Sequence, residues 1–195
     1  MRTIVWDLDD VLNELMLTWF TESWKPSHPA CQLSYGDIAE NPPESVLGVT
    51  RFEYLSSLDE FRVSERARSM PPNPTVLDWL RKYGFRYRHM VLTARPLDSA
   101  SHAAEWVFRN FGTYVRAFGV APTRLSLDAP VYDRDKGDFL RWFEKADILV
   151  DDSEENLRAA EELGIRGVLY PQPWNRSSST IRETLESLAQ LVEAN

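Results

Sequence analysis

Two pairs of aspartates carry the strongest chemical signal in this sequence. Asp7-Leu8-Asp9 follows the short apolar run Thr3 to Trp6, and Asp151-Asp152 follows another, Ile148 to Val150. A carboxylate at the end of a buried strand is costly unless a cation or hydrogen-bond donors meet it. If the two strand ends are neighbours, up to four carboxylates converge. Each like-charged pair about 4 Å apart then repels by about 4 kcal/mol at an effective dielectric near 20. A bound cation relieves that repulsion. Oxygen ligands with no cysteine or histidine nearby favour a hard ion, and Mg2+ is the common partner when phosphate completes the coordination.

For these side chains to meet, the chain must bring distant strands together, and its periodicity says how. Strand runs are expected over Thr3 to Trp6, His89 to Leu92 ending at Thr93, Val115 to Phe118, Leu125 to Leu127, Ile148 to Val150 and Arg166 to Tyr170. Between them lie helical patterns. Leu12, Leu15, Met16, Trp19 and Phe20 share one face of a helix expected to stop before Pro26. Asn73-Pro74 is an N-cap followed by proline at the first helical position, and Gly84 ends that helix. Further helices span roughly Ser99 to Asn110, start at Lys136, run from a Ser153 cap to Gly164, and close the chain through Ile181, Leu185, Leu188 and Val192.

Strands alternating with helices imply right-handed crossovers and a three-layer, doubly wound parallel α/β sheet. In such sheets ligands bind beyond the carboxyl ends of the strands, where Asp7, Thr93 and Asp151 fall. Residues 13–72 break the alternation. They hold six prolines from Pro26 to Pro72 and a capping-box pattern at Thr50 and Glu53, and read as a small, mostly helical insertion in a core of residues 1–12 and 73–195.

The net charge of −8 argues against a polymeric nucleic-acid partner, which usually meets a basic face. No apolar run approaches the ~20 residues that span a bilayer, and Met1-Arg2-Thr3 leads straight into the first strand, so no membrane partner and a cytoplasmic location are expected. The single cysteine, Cys31, reads as a small buried apolar residue, and His28, His89 and His102 have no metal-ligand spacing. Nothing in the pattern speaks to the oligomeric state.

The ordered motifs resemble the haloacid dehalogenase (HAD) superfamily. Its first motif, a strand ending Asp-x-Asp, is matched by Val5-Trp6-Asp7-Leu8-Asp9-Asp10-Val11, and its second, a strand ending in Thr or Ser, by Val91-Leu92-Thr93. Its third, a lysine opening a helix, is similar to Lys136, and its fourth, paired acids after an apolar strand, to Ile148-Leu149-Val150-Asp151-Asp152. The resemblance implies a Mg2+-dependent phosphohydrolase. Asp7 would be the nucleophile, forming an aspartyl-phosphate, and Asp9 the general acid and base. Thr93 would hydrogen-bond a phosphate oxygen, Lys136 would offset the charge, and Asp7, Asp9, Asp151 and Asp152 would hold the metal, Asp152 through water. An acid at position 9 resembles the phosphatases and phosphomutases of the family and not its dehalogenases. Asp10 stands where the family often has glycine.

The insertion falls where the family places its helical cap, and its shortness implies a small phosphorylated substrate. Leu92-Thr93-Ala94-Arg95-Pro96 and the Pro173-Trp174-Asn175 loop are similar to sequences of the small-cap 5'-nucleotidase-like branch, which implies a nucleoside 5'-monophosphate and adds Ala94 and Arg95 to the substrate-binding set. Arg95 fits two roles, a phosphate contact or a surface residue in a turn. Aromatics of the insertion such as Trp19, Phe20, Tyr35 and Tyr54 could stack on a base, though helical spacing also suits them to a core. Two other readings use the same residues: an inactive phosphate-binding module, and a phosphoryl-transfer signalling domain. The latter is usually shorter and places its acceptor on a middle strand.

Overall fold

In the computed structural model, which describes residues 1–122 and 129–193, the two aspartate-bearing strands lie side by side. Strand β1 is Thr3–Trp6; the helices α1 (Leu15–Trp19), α2 (Lys25–Ser27), α3 (Glu44–Leu47), α4 (Arg51–Val63) and α5 (Glu65–Arg68) follow it. Then come α6 (Pro74–Tyr83), β2 (Arg88–Thr93), α7 (Leu97–Phe111) and β3 (Val115–Val120). The chain continues through α8 (Lys136–Trp142), β4 (Ile148–Asp151), α9 (Glu154–Glu161), β5 (Arg166–Leu169) and α10 (Ile181–Glu193). The expected strand at Leu125 to Leu127 lies outside the described residues.

Among the described residues, five strands form one parallel sheet in the order β3-β2-β1-β4-β5. Pleating sends alternate side chains to opposite faces, which explains the near-continuous apolar runs of strands buried on both sides. Ile4, Trp6, Val91 and Val150 face α6, α7 and α10, whereas Val5, Met90, Leu92 and Leu149 face α8 and α9. The result is the three-layer α/β architecture that the periodicity predicts.

Several local details decide where elements end. Asn73 caps α6 by accepting from the N–H groups of Thr75 and Val76, and its own amide donates to the Tyr170 hydroxyl at 2.9 Å, tying the helix start to the sheet end. Gly84 does close α6, but not through a left-handed turn: its φ is −59°, and a β-carbon there would stand 2.8 Å from the Tyr114 ring. Gly164, at φ +78°, is the left-handed terminator expected after α9.

Between β1 and β2 the chain forms a second apolar cluster, in which Leu15, Trp19, Phe20 and Trp24 meet Tyr54 and Leu58. The helix does not stop before Pro26. A five-residue π-helical segment, Phe20–Trp24, shifts the hydrogen-bond register ahead of the proline, so that Pro26 opens a new turn, where its missing N–H costs little. Cys31 is half-buried at the edge of this cluster rather than inside it.

Candidate active site

The site is assembled from strand ends. β1 stops at Trp6 because the next backbone N–H, that of Asp7, makes the last bond across to the Val150 carbonyl at 2.9 Å. β4 carries Asp151 as its final residue, fully buried, and β2 ends on Thr93. The pairing register puts Trp6 opposite both Val91 and Val150, so the residues that follow emerge together at one edge of the sheet.

Lys136, the first residue of α8, reaches into this group. Its Nζ lies 2.7 Å from Asp7 Oδ1 and 2.6 Å from Asp151 Oδ2, with only 2% of the lysine side chain exposed. Asp7 Oδ1 also accepts from the Leu8 N–H at 2.6 Å, which leaves Oδ2 without a partner among the described residues. Asp151 Oδ1 accepts from the Ser153 N–H and from the Asn156 side chain. Of the side chains that fix these two carboxylates, Lys136 was expected from the sequence and Asn156 was not.

Asp7, Asp151 and Asp152 each offer an oxygen, and these oxygens lie within 4.8 Å of one another. When all three are ionised, a single ammonium faces them and two negative charges remain uncompensated. Burial, with the Asp151 and Asp152 charges, outweighs the Lys136 ammonium and pushes the Asp7 carboxyl well above its usual range. Burial, then the charges of Asp151 and Asp10, pushes Asp152 up to about 8. On Lys136 the cost of burial is overcome by Asp151 and Asp7, and the ammonium is held charged. A buried donor set of hard oxygens with surplus negative charge fits a divalent cation such as Mg2+.

Asp9 has a different environment. Its carboxylate takes a two-pronged ion pair from Arg95, with Nε at 2.7 Å from Oδ2 and Nη2 at 2.6 Å from Oδ1, and a further bond from the Asn13 amide at 3.1 Å. Arg62 of α4 stands 4.0 Å away. Burial alone raises this carboxyl, but Arg95, helped by Arg62 and Asn13, carries it below the usual carboxylate range. The Asp9 carboxylate stands outside the group formed by the oxygens of Asp7, Asp151 and Asp152, and Arg95 is a buried partner of Asp9 rather than a surface turn residue.

Asp10 adopts φ +62°, the region that glycine favours and aspartate tolerates. Its carboxylate accepts from the Met16 N–H at 2.9 Å, so the turn after Asp9 is tightly wound and also anchors the start of α1. Thr93 accepts from the Arg95 N–H at 3.2 Å, leaving its own hydroxyl proton free to donate.

The loop after β5 forms the opposite wall. The Trp174 indole N–H donates to Asp152 Oδ2 at 2.7 Å, and the Asn175 amide donates to the carbonyls of Asp152 and Tyr170. The Gln172 amide donates to the Asp10 carbonyl at 2.5 Å, while its oxygen accepts from the Tyr35 hydroxyl at 3.0 Å. Together these groups enclose a cavity of about 530 Å³ lined by Asp7, Asp9, Thr93, Ala94, Arg95 and Lys136 on the sheet side, and by Tyr54, Arg62 and Trp174 elsewhere. Of the insertion's aromatics, Trp19, Phe20 and Trp24 are buried in its cluster, whereas Tyr54 borders the cavity.

Sequence reading missed Asn13, Arg62 and Asn156. Each is a single polar residue in a helical or turn context, with no periodic or motif signal to set it apart. His89 is buried: its Nδ1 accepts from Trp6 Nε1 at 3.0 Å, so the ring proton sits on Nε2 and is donated to the Gly84 carbonyl at 2.8 Å.

Neither a protein-family model nor a curated protein matches the sequence. Solved structures do match its fold. A haloacid dehalogenase-like hydrolase from Streptococcus pneumoniae superposes with a TM-score of 0.66 at 14% identity over 98% of each chain. Protein tyrosine kinase A of Mycobacterium tuberculosis gives 0.66 at 17% identity, over 98% of this chain and 97% of that one. A structure described as a putative β-phosphoglucomutase from Thermotoga maritima gives 0.61 at 17% identity, over 98% and 100%. The chain thus shares its α/β fold with the haloacid dehalogenase-like hydrolase of Streptococcus pneumoniae.

Proposed function

We propose that the protein is a Mg2+-dependent phosphomonoester hydrolase that works through an aspartyl-phosphate on Asp7. The observation that carries this reading is the meeting of Asp7, Asp151 and Asp152 around the Lys136 ammonium at the carboxyl edge of the sheet. Asp7, Asp151 and Asp152 would hold the ion. When bound, Mg2+ supplies positive charge that offsets repulsion between the carboxylates and a phosphate.

Lys136 and the Leu8 N–H hold Asp7 Oδ1, which leaves Oδ2 for attack on phosphorus. An Oδ2–P bond forms as the P–O bond to the leaving group breaks, and Asp9 gives the leaving oxygen its proton. Water then attacks the phosphorus, Asp9 takes up its proton, and the Asp7 carboxylate returns with inorganic phosphate released. Thr93 donates its hydroxyl to a phosphate oxygen. At rest Asp9 is ionised by Arg95, so its acid role requires Arg95 to exchange that carboxylate for the incoming phosphate and Asp9 then to take up a proton from solvent before it gives one to the leaving oxygen.

Residues 13–72 act as a cap over the site on a core of residues 1–12 and 73–195. The substrate is a small phosphate ester, with a nucleoside 5'-monophosphate the first choice. A cavity of about 530 Å³ bordered by the half-buried Trp174 has the size and an aromatic side chain for a base and sugar.

The test is phosphate release from a panel of nucleotides and sugar phosphates, with and without Mg2+, by the wild type and Asp7→Asn. We expect Mg2+-dependent turnover of at least one small monoester and a loss of at least about a thousandfold in the variant. Equal rates in the two proteins would remove the mechanism; binding without release would favour the inactive module.

A further inference from the structure

A second cavity, of about 460 Å³, opens at the opposite end of the sheet. Thr3 and Arg88, which begin β1 and β2, border it, whereas Asp7 and Thr93 stand at the far ends of those strands. Four aromatic side chains, Phe85, Tyr87, Tyr114 and Phe143, contribute to its lining. Phe85 is 72% exposed, a poor location for a large apolar ring, and it meets the Tyr114 ring at 5.1 Å and 59°.

The charge of this cavity is unlike that of the chain. The protein carries a net charge of −8, yet among the described residues Arg88, Arg116 and Lys145 line the cavity and no carboxylate does. Among the described residues, neither Arg88 nor Lys145 enters an ion pair; the nearby Asp147 carboxylate is engaged by the Thr3 N–H at 2.6 Å. Arg116 is placed by an irregularity in the sheet. His89 pairs with Val115 and Met90 with Ala117, which makes Arg116 the extra residue of a β-bulge. Bulges re-aim a side chain and interrupt pairing. Here the guanidinium is then fixed by the carbonyls of Gly112, Thr113 and Val115, which hold the cation in place without neutralising it.

A planar ring gains from contact with aromatic faces, and an anionic group gains from cations that have no competing carboxylate. We propose that this cavity binds a small aromatic anion, its ring against Phe85 and Tyr114 and its negative group on Arg88, Arg116 and Lys145. The site is independent of the phosphohydrolase reading, since it shares no residue with the cavity at the other end of the sheet.

Naphthalene-1-sulfonate, titrated into the full chain by isothermal calorimetry, tests the idea. We expect one molecule bound per chain, with sodium sulfate and naphthalene-1-methanol, which lack the ring and the charge respectively, at least about tenfold weaker. Arg88→Glu/Lys145→Glu should weaken the sulfonate by about tenfold or more, and Arg182→Glu, an equal kind of charge reversal outside the cavity, should not. If the double variant does not fold, Phe85→Ser, at an exposed position, should reduce affinity at least severalfold. Unchanged affinity in these variants, or displacement of the sulfonate by inorganic phosphate, would overturn the proposal.

Discussion

Asp7 and Asp9 are two residues apart and meet opposite electrostatic conditions. Asp7 shares one ammonium with a second carboxylate, whereas Asp9 has a guanidinium to itself. Breaking a buried charge pair by removing one partner strands the other. Arg95→Met should therefore cost about 3 kcal/mol in urea unfolding, with Asp9→Asn/Arg95→Met costing less than the sum of its single variants. A strictly additive cycle would show that the pair has no coupling. Trp174 acts on Asp152 through one indole N–H. Trp174→Phe keeps the ring but removes the donor, so Mg2+ affinity measured by calorimetry should fall about tenfold while the fold survives. An unchanged affinity would mean that Asp152 needs no such orientation.

At the scale of elements, short caps and turns position the chemistry. Asn73 both caps α6 and ties it to Tyr170 at the end of β5, so Asn73→Ala should cost about 1–2 kcal/mol in chemical unfolding and loosen the start of that helix. Loss of stability without loss of α6 amide protection in hydrogen exchange would assign the cost to the Tyr170 bond instead. The loop from Pro171 to Asn175 works in the same way on a larger span. Through Gln172, Trp174 and Asn175 it bonds Tyr35 of the inserted helices, the Asp10 turn and Asp152, so three separate stretches of chain share one support.

For the whole molecule, the acidic cluster couples stability to pH. The unfolded carboxyl of Asp152 titrates near its ordinary 3.8 and the folded one near 8, and Asp7 and Asp10 are raised as well. Between about pH 4 and pH 8 the folded chain keeps protons that the unfolded chain has released, so the metal-free protein loses stability as pH rises through that window. A divalent ion must displace those protons to bind. The rise in melting temperature produced by saturating Mg2+ should therefore be larger near pH 8 than near pH 6. An equal or reversed effect would show that these carboxylates are not the ion's ligands.

The order of elements and the identity of the acidic tips were legible in the sequence, because burial on both faces of a parallel sheet writes apolar runs and their termini directly into residue types. Lys136 was singled out only through the resemblance, as a lysine opening a helical pattern, and Asp10 only as a residue standing where the family often has glycine. What the sequence could not decide was pairing. Arg95 fitted a phosphate contact or an exposed turn equally well, and its union with Asp9, 86 positions away, exists only once β1 and β2 lie together. The same holds for Trp174 on Asp152, for Arg62 beside Asp9, and for the bulge that makes Arg116 the extra residue where β2 and β3 pair. Hydrogen bonds and ion pairs act over a few ångströms, and only the folded chain says which distant side chains come within that range.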